Sequence, residues 1–334
     1  MGDTAYGAPR MENAASEARG ENGLGTREQG ARPVTYPEDG LSPVPHPLHG
    51  RLGLGVPNEW WPSGPLLKSF EAAGFALTQL PSPPASVLSD ARYLSRHAGA
   101  ARAALDTTGL VPIVHAPPGV LAGTPSDDHA LDGLLAYAAE IGAAQVVYHA
   151  HALPDHPSSE DRLLAETRSL ARLAARAERL GVTIAIENLA PTYPGPERLS
   201  DTPLVLRALA HRVGSPRIGL CLDLGHAHIV AGLKHAALEH LVRPVLDSVV
   251  LFHVHDNLGA RWDSRAPAGL DPLRLDLHLP PGRGTLPWAD VGAILLDHGA
   301  PLLLEVHPPN RSQPDELFAS TRDLLSSESL PAAA

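Results

Sequence analysis

The stretch 182–187, VTIAIE, decides the fold. Side chains alternate between the two faces of a strand. Val182, Ile184 and Ile186 therefore share one face, and Thr183, Ala185 and Glu187 share the other. The stretch 218–223, IGLCLD, repeats the pattern, with Ile218, Leu220 and Leu222 opposed to Gly219, Cys221 and Asp223. At 52–56, LGLGV, the aliphatic Leu52, Leu54 and Val56 oppose Gly53 and Gly55. One face is large and aliphatic and suits packed helices. The other is small or polar and suits the crowded interior of a closed barrel with chemistry at its top. An open doubly wound sheet would require two aliphatic faces.

Working outward, comparable apolar runs recur along the chain: RLGLGV, GFALTQL, LVPIVH, AQVVYH, VTIAIE, RIGLCLD, SVVLFHVH and APLLLEVH. Longer stretches of helical period separate them, an α/β pattern of parallel strands. One such stretch begins at Ser158-Ser159-Glu160-Asp161, good helix-start chemistry, and stops at Gly181. The sequence therefore predicts a single (β/α)8 TIM barrel over residues 50–326. Residues 1–49, rich in Gly, Pro, Glu, Ala and Arg without an apolar period, are expected to form a disordered extension. Residues 327–334 are expected to form a flexible tail.

Composition narrows the function. The chain has 26 basic and 37 acidic residues and a formal net charge of −11, which argues against a nucleic-acid partner, since that binding needs a basic footprint. No run is long and apolar enough for a membrane span, and the N-terminus lacks the apolar core of a signal peptide. The single cysteine, Cys221, allows no internal disulfide and fits a reducing compartment, so a cytoplasmic location is expected. Cys221 reads as a small core residue. Gly53-Leu54-Gly55 lacks the rest of a dinucleotide fingerprint. A homo-oligomer is left open.

The 18 histidines are the unusual count. The last inward position of strand after strand is a metal-ligand type: His115, His149, Glu187, Asp223, His253 and Glu305. His226 follows three residues after Asp223, and His255 shares the face of His253. Asp276 and His278 precede Pro-Gly-Arg-Gly in the long loop after the seventh strand. An inward carboxylate in an apolar barrel costs several kcal/mol unless it is paired or metal-bound. Mixed imidazole and carboxylate donors suit Zn²⁺, Mn²⁺, Fe²⁺ or Co²⁺. Arg261, Arg265, Arg274 and Arg283 lie in or beside the same loop, where they read as a phosphate or carboxylate clamp or as ordinary surface arginines. His151 and His228 read as site rim or surface. His97, His129, His211, His235, His240 and His298 read as solvated, and His255 and His307 as contacts behind the ligands or to substrate.

At IAIENLA (184–190), LCLDLGHAHI (220–229), LFHVHDN (251–257), DLHLPPGRGTLPW (276–288) and LLLEVHP (302–308) the chain resembles the xylose isomerase-like TIM-barrel superfamily. That superfamily includes sugar phosphate isomerases and epimerases and the endonuclease IV family. The isomerase branch implies one divalent metal (Mn, Zn, Co or Mg) on Glu187, Asp223, His253 and Glu305. It also implies proton transfer by Glu187 and Glu305 through an enediolate, and His226 on a substrate oxygen. Asn188, His255 and Arg283 are expected at the sugar-like substrate. The endonuclease IV branch implies up to three metal ions on His115, His149, Glu187, Asp223, His226, His253, Asp276, His278 and Glu305, and phosphodiester hydrolysis. Two departures separate this chain from DNA repair: TQLPSPPASVL (78–88) after the second strand, and His255 where that branch has Asn. The favoured reading is a metal-dependent sugar or sugar-phosphate isomerase/epimerase. The alternatives are a multi-metal phosphodiesterase and a non-catalytic small-ligand-binding barrel.

Overall fold

The computed structural model describes residues 48–150, 159–260 and 275–326. Eight strands form a closed barrel in chain order: β1 (Leu52–Gly55), β2 (Leu77–Pro81), β3 (Val111–His115), β4 (Gln145–Tyr148), β5 (Thr183–Glu187), β6 (Ile218–Asp223), β7 (Val249–Val254) and β8 (Leu302–Leu304). Neighbours are parallel throughout, and β8 closes on β1 with Gly53 beside Leu303. The expected (β/α)8 barrel is therefore the fold.

Local chemistry sets the helices that return the chain from one strand to the next. Pro125–Ile141 begins where Thr124 accepts a hydrogen bond from the Asp127 amide, with Pro125 and two aspartates in its first turn; it stops at Gly142 in the left-handed conformation. Ser159–Leu180 ends at Gly181, with φ +72°. Among the described residues no helix is long and apolar enough to cross a membrane.

Strand alternation separates two cores. The outward residues Leu52, Leu54, Leu80, Val114, Val146, Tyr148, Ile184, Ile186, Leu220, Leu222, Phe252, Leu302 and Leu304 pack under the helices. The interior is a separate layer of Leu77, Ile113, Val147, Ala185, Cys221, Leu251 and Leu303, one residue from each of β2 to β8. On β1 the matching position is Gly53, where a Cβ would lie 2.9 Å from Leu77 Cβ and 3.0 Å from Leu303 Cδ1. The layer leaves no room for a side chain there.

β7 keeps this alternation only through a bulge. Its partners on β6 run Leu220 with Val249, then Cys221 with Leu251, so Val250 is an extra residue. Val249 packs outward and Leu251 inward. The bulge thus resets the parity of β7, brings His253 level with Asp223 and turns it inward.

The packed chain begins slightly earlier than expected, because Leu48 is buried in the outer core and its carbonyl accepts from the Arg51 amide at 3.0 Å. Residues 1–47 of the expected extension over 1–49, the expected tail over 327–334, Ser158, His151, Arg261, Arg265 and Arg274 lie outside the described residues.

Leu303 is fully buried in the interior layer. Leu303→Ala should lower stability by about 2–5 kcal/mol, read from the midpoint of urea unfolding. A change below about 1 kcal/mol would show that this layer is loosely filled.

Candidate metal centre

Two residues past each interior-layer residue, the strand next faces inward. On β1 to β8 these positions are Gly55, Gln79, His115, His149, Glu187, Asp223, His253 and Glu305. They form a ring directly above the apolar layer. The sequence reading named six of the eight. It missed Gln79, although the parity that selects Glu187 from Ala185 selects Gln79 from Leu77.

The donors gather in three groups, each with its ligand atoms within 4.8 Å of one another: His115, His149 and Glu187; Glu187, Asp223, His253 and Glu305; and His226, His255, Asp276 and His278. Glu187 belongs to two groups and divides its oxygens between them. Its Oε2 faces His115 Nε2 at 3.3 Å and His149 Nε2 at 3.0 Å, while its Oε1 faces His253 Nδ1 at 3.1 Å. His253 Nδ1 also lies 3.4 Å from Glu305 Oε2.

The third group rises from the strand ends. Asp223 caps the helix Leu224–Leu233, its Oδ1 accepting from the His226 amide at 2.7 Å. His255, two residues beyond His253, lies over that first turn, where a Cβ on Gly225 would fall 2.1 Å from His255 Cε1. Only glycine fits there. His255 stacks on His278 with ring centroids 3.8 Å apart, and His278 stacks on His307 at 4.2 Å. His278 has φ +45°, a left-handed backbone that costs a non-glycine residue about 1–3 kcal/mol. Its carbonyl accepts from the His307 amide and its Nδ1 donates to the Glu305 carbonyl at 2.6 Å.

The loop carrying Asp276 and His278 is anchored by Asp256. Fully buried, this carboxylate accepts from the amides of Asn257, Gly282 and Leu286 and from Trp288 Nε1, all at 2.9–3.1 Å. Gly284 passes so close that a Cβ would sit 2.3 Å from Asp256 Oδ1. Asn257 ties the same loop to the helix, donating to the Gly225 carbonyl at 2.8 Å. The Asp-Asn pair of LFHVHDN is therefore structural.

Four imidazoles are each fixed through one ring nitrogen. Nδ1 of His115, His226 and His278 donates to the carbonyls of Ala116, Asn188 and Glu305, at 2.8, 2.8 and 2.6 Å. That leaves each Nε2 facing a carboxylate: Glu187 for His115, Asp276 for the other two. His253 is turned the other way, with Nε2 on Gln79 Oε1 at 2.9 Å and Nδ1 toward the carboxylates. Fixing one ring nitrogen as a donor and presenting the other is how proteins orient metal-ligating histidines. The residues fit a metal on a second ground. Asp223 Oδ2, Asp276 Oδ1 and His255 Nδ1 are buried without a hydrogen-bond partner, and His255 Nε2 meets only Asp223 Oδ1, at 3.1 Å, an arrangement that is costly unless a cation satisfies the open atoms.

Other expected residues take different places. Asn188 is buried, and both ends of its carboxamide bond the backbone of Asp223, at 2.9 Å each, so it ties β5 to β6. Arg283 is exposed on the Pro-Gly-Arg-Gly turn. His228 lies 2.9 Å from Thr285 Oγ1. His97 and His298 are partly buried rather than solvated: His97 packs between Trp61 and Tyr137, and His298 donates to the Leu246 carbonyl at 2.8 Å. His129, His211, His235 and His240 lie toward the surface, away from the three groups.

Charge in the site is mutually compensating. Burial pushes the carboxyls up, but the charges of His253 and His149 on Glu187, and of His226 and His278 on Asp276, hold both well below the usual carboxylate range. Burial likewise pushes the imidazoles down, and Asp223 and Asp276 overcome it to raise His226 well above its ordinary value. His278 is raised to about 8, burial being outweighed by the charge and hydrogen bond of Asp276. Raised histidines stabilise the fold below their unfolded value and lose that contribution as pH rises through the folded one; lowered carboxyls stabilise above their unfolded value and lose it as pH falls. Metal-free protein should therefore be most stable between about pH 4 and 6.5, with a loss as pH passes about 8. Thermal midpoints across about pH 4–9 measure this, and a midpoint rising through about pH 8 would contradict the assigned pairing.

Residues 67–327 match the xylose isomerase-like TIM barrel family, and the chain belongs to it. No curated protein matches the chain. Among solved structures it is similar to a D-tagatose 3-epimerase-like protein, at 20% identity over 82% of this chain and 97% of that one, with a TM-score of 0.63. The 3-keto-D-glucoside 4-epimerase YcjR from E. coli aligns at 15% identity over 82% of this chain and 98% of its own, with a TM-score of 0.59. A Thermus thermophilus protein, TTHB071, in a structure from crystals soaked with ZnCl2, aligns at 20% identity over 83% of this chain and 98% of its own, with a TM-score of 0.58. At these identities the likeness is one of fold.

Proposed function

We propose that this chain is a divalent-metal-dependent isomerase or epimerase of a small sugar-like substrate. The observation that carries the reading is the four-donor group Glu187, Asp223, His253 and Glu305, supplied by four consecutive strands, with three carboxylates and one imidazole converging on one point. Mn, Zn, Co or Mg in that group would polarise a substrate carbonyl and its neighbouring hydroxyl and so acidify the carbon between them. Glu187 and Glu305, reaching in from different strands, would then remove the carbon-bound proton to give an enediolate and return a proton to it. His226, with Nδ1 held by the Asn188 carbonyl and Nε2 3.5 Å from Asp276, would offer Nε2 to a substrate oxygen placed beside that carboxylate. The epimerases among the similar structures support the reading, as does the chain's negative charge, which disfavours a polyanionic substrate.

A second reading, multi-metal phosphoester hydrolysis, is favoured by one specific feature. His115 and His149 both lie on Glu187 Oε2, the oxygen that a proton-transfer role would want free. With the third group they offer places for two further ions.

Elemental analysis of protein purified without chelator separates the two. About one ion per chain, with solvent deuterium entering a ketose at carbon, is the expected outcome; two or three ions per chain, with phosphoester cleavage, would replace the first reading by the second. Glu187→Gln should lower turnover by about 10²–10⁴-fold under either reading, with circular dichroism unchanged. Full activity in that variant would remove Glu187 from the chemistry.

A further inference from the structure

Gln79 is buried in the ring above the interior layer, and its two amide ends contact two different donors of the central group. Its Nε2 lies 2.5 Å from Glu305 Oε1 and its Oε1 lies 2.9 Å from His253 Nε2. The chemistry allows one orientation. An ionised carboxylate only accepts, so the NH₂ must face Glu305. The amide oxygen then faces His253 and can only accept, so Nε2 carries a proton, and in the neutral ring that a metal ion requires the lone pair is on Nδ1. Nδ1 is the atom that lies 3.1 Å from Glu187 Oε1 and 3.4 Å from Glu305 Oε2. The same contact holds Glu305 by Oε1 and leaves its Oε2 beside His253 Nδ1.

We propose that Gln79 is a positioning residue of the metal centre: through one carboxamide it sets the ring tautomer of His253 and the orientation of the Glu305 carboxylate, so that both present a free donor atom to the same ion. This rests on the metal-centre reading above. The role is distinct among the four oriented imidazoles. His115, His226 and His278 are held by backbone carbonyls, which no substitution removes, whereas His253 is held by a side chain. A carboxamide supplies donors and an acceptor in a fixed plane without carrying charge. Glutamate would set a second carboxylate against Glu305, and methionine would fill the space with neither bond.

The test uses the full chain and Zn²⁺ alone, with affinity measured by competition against a chromogenic chelator. Gln79→Met should bind Zn²⁺ about 10–100-fold more weakly than wild type, with the circular dichroism spectrum of the wild type. A purely structural role would lower the thermal midpoint of the metal-free variant and leave the affinity unchanged, and unchanged affinity would overturn the proposal. The wild type provides a test that does not depend on the variant folding. In the zinc-loaded protein labelled with ¹⁵N-histidine, the signal lost in His253→Asn should carry its proton on Nε2. A proton on Nδ1 would overturn the proposal. Wild-type protein that takes up no Zn²⁺ would overturn the metal-centre reading and the role of Gln79 with it, whereas wild-type affinity in Gln79→Met would overturn only the role of Gln79.

Discussion

Two carboxylates, Glu187 and Asp223, lie fully buried at the end of an apolar barrel interior, and their surroundings are arranged to keep them charged. Moving an isolated carboxylate into such a place costs several kcal/mol. The barrel recovers this by bringing imidazoles from other strands against them: His115, His149 and His253 around Glu187, and His226 and His255 around Asp223. Each of these contacts requires strand ends to be level and side chains to face inward. The closed register, the bulge at Val250 and Gly225 all serve that requirement. In the metal-free protein, the carboxylates raise His115, His226 and His253 against their burial, so that these rings supply positive charge. A cation offers the same charge in more concentrated form, which is why a site balanced in this way is suited to one.

Strand alternation then explains how a single fold carries both a core and a site. The interior layer from Leu77 to Leu303 is apolar and forms the floor of the polar ring. The next inward position is polar on seven strands and glycine on β1. One residue step separates the two cores, and two residue steps separate the floor from the chemistry. The loop after β7 contributes Asp276 and His278 from above, and it is held by Asp256 through four N–H donors. Among the buried carboxylates of this region Asp256 bonds only N–H donors, whereas Glu187 and Asp223 face imidazoles.

Much of this is legible in the chain, for a physical reason. Alternation is a property of the strand itself, so VTIAIE and IGLCLD by themselves assign Glu187 and Asp223 to the inside. Gln79 obeys the same alternation from Leu77. It is passed over because an amide, unlike imidazole or carboxylate, is not a metal-ligand type and draws no attention by chemistry alone. Asn188 shows the opposite limit. It follows Glu187 directly, and only the structure reveals that its amide is bonded to the Asp223 backbone. The inward face of His253 is readable, but the bulge before it is not, because the extra residue at Val250 depends on the neighbouring strand. What sequence conveys is which side of its own strand a residue faces. What it omits is which partner across the barrel that residue meets.

The division of Glu187 between two groups bears most directly on the chemistry. A carboxylate that ligates one ion through Oε1 and leaves Oε2 open can also take a proton from carbon. Here Oε2 has two imidazole nitrogens at 3.3 and 3.0 Å. Those nitrogens, themselves 3.1 Å apart, are compatible with it in more than one arrangement. If His115 and His149 donate protons, they hold Glu187 ionised and weaken it as a base, so Glu305 becomes the better proton acceptor. If their lone pairs face inward, the two imidazoles and Oε2 repel one another until a cation lies between them. His115 already donates Nδ1–H to the Ala116 carbonyl, so its neutral form turns a lone pair toward Glu187. With its proton on Nε2, His149 donates to Oε2 at 3.0 Å, so a second cation is called for at Oε2 only where both nitrogens turn lone pairs inward.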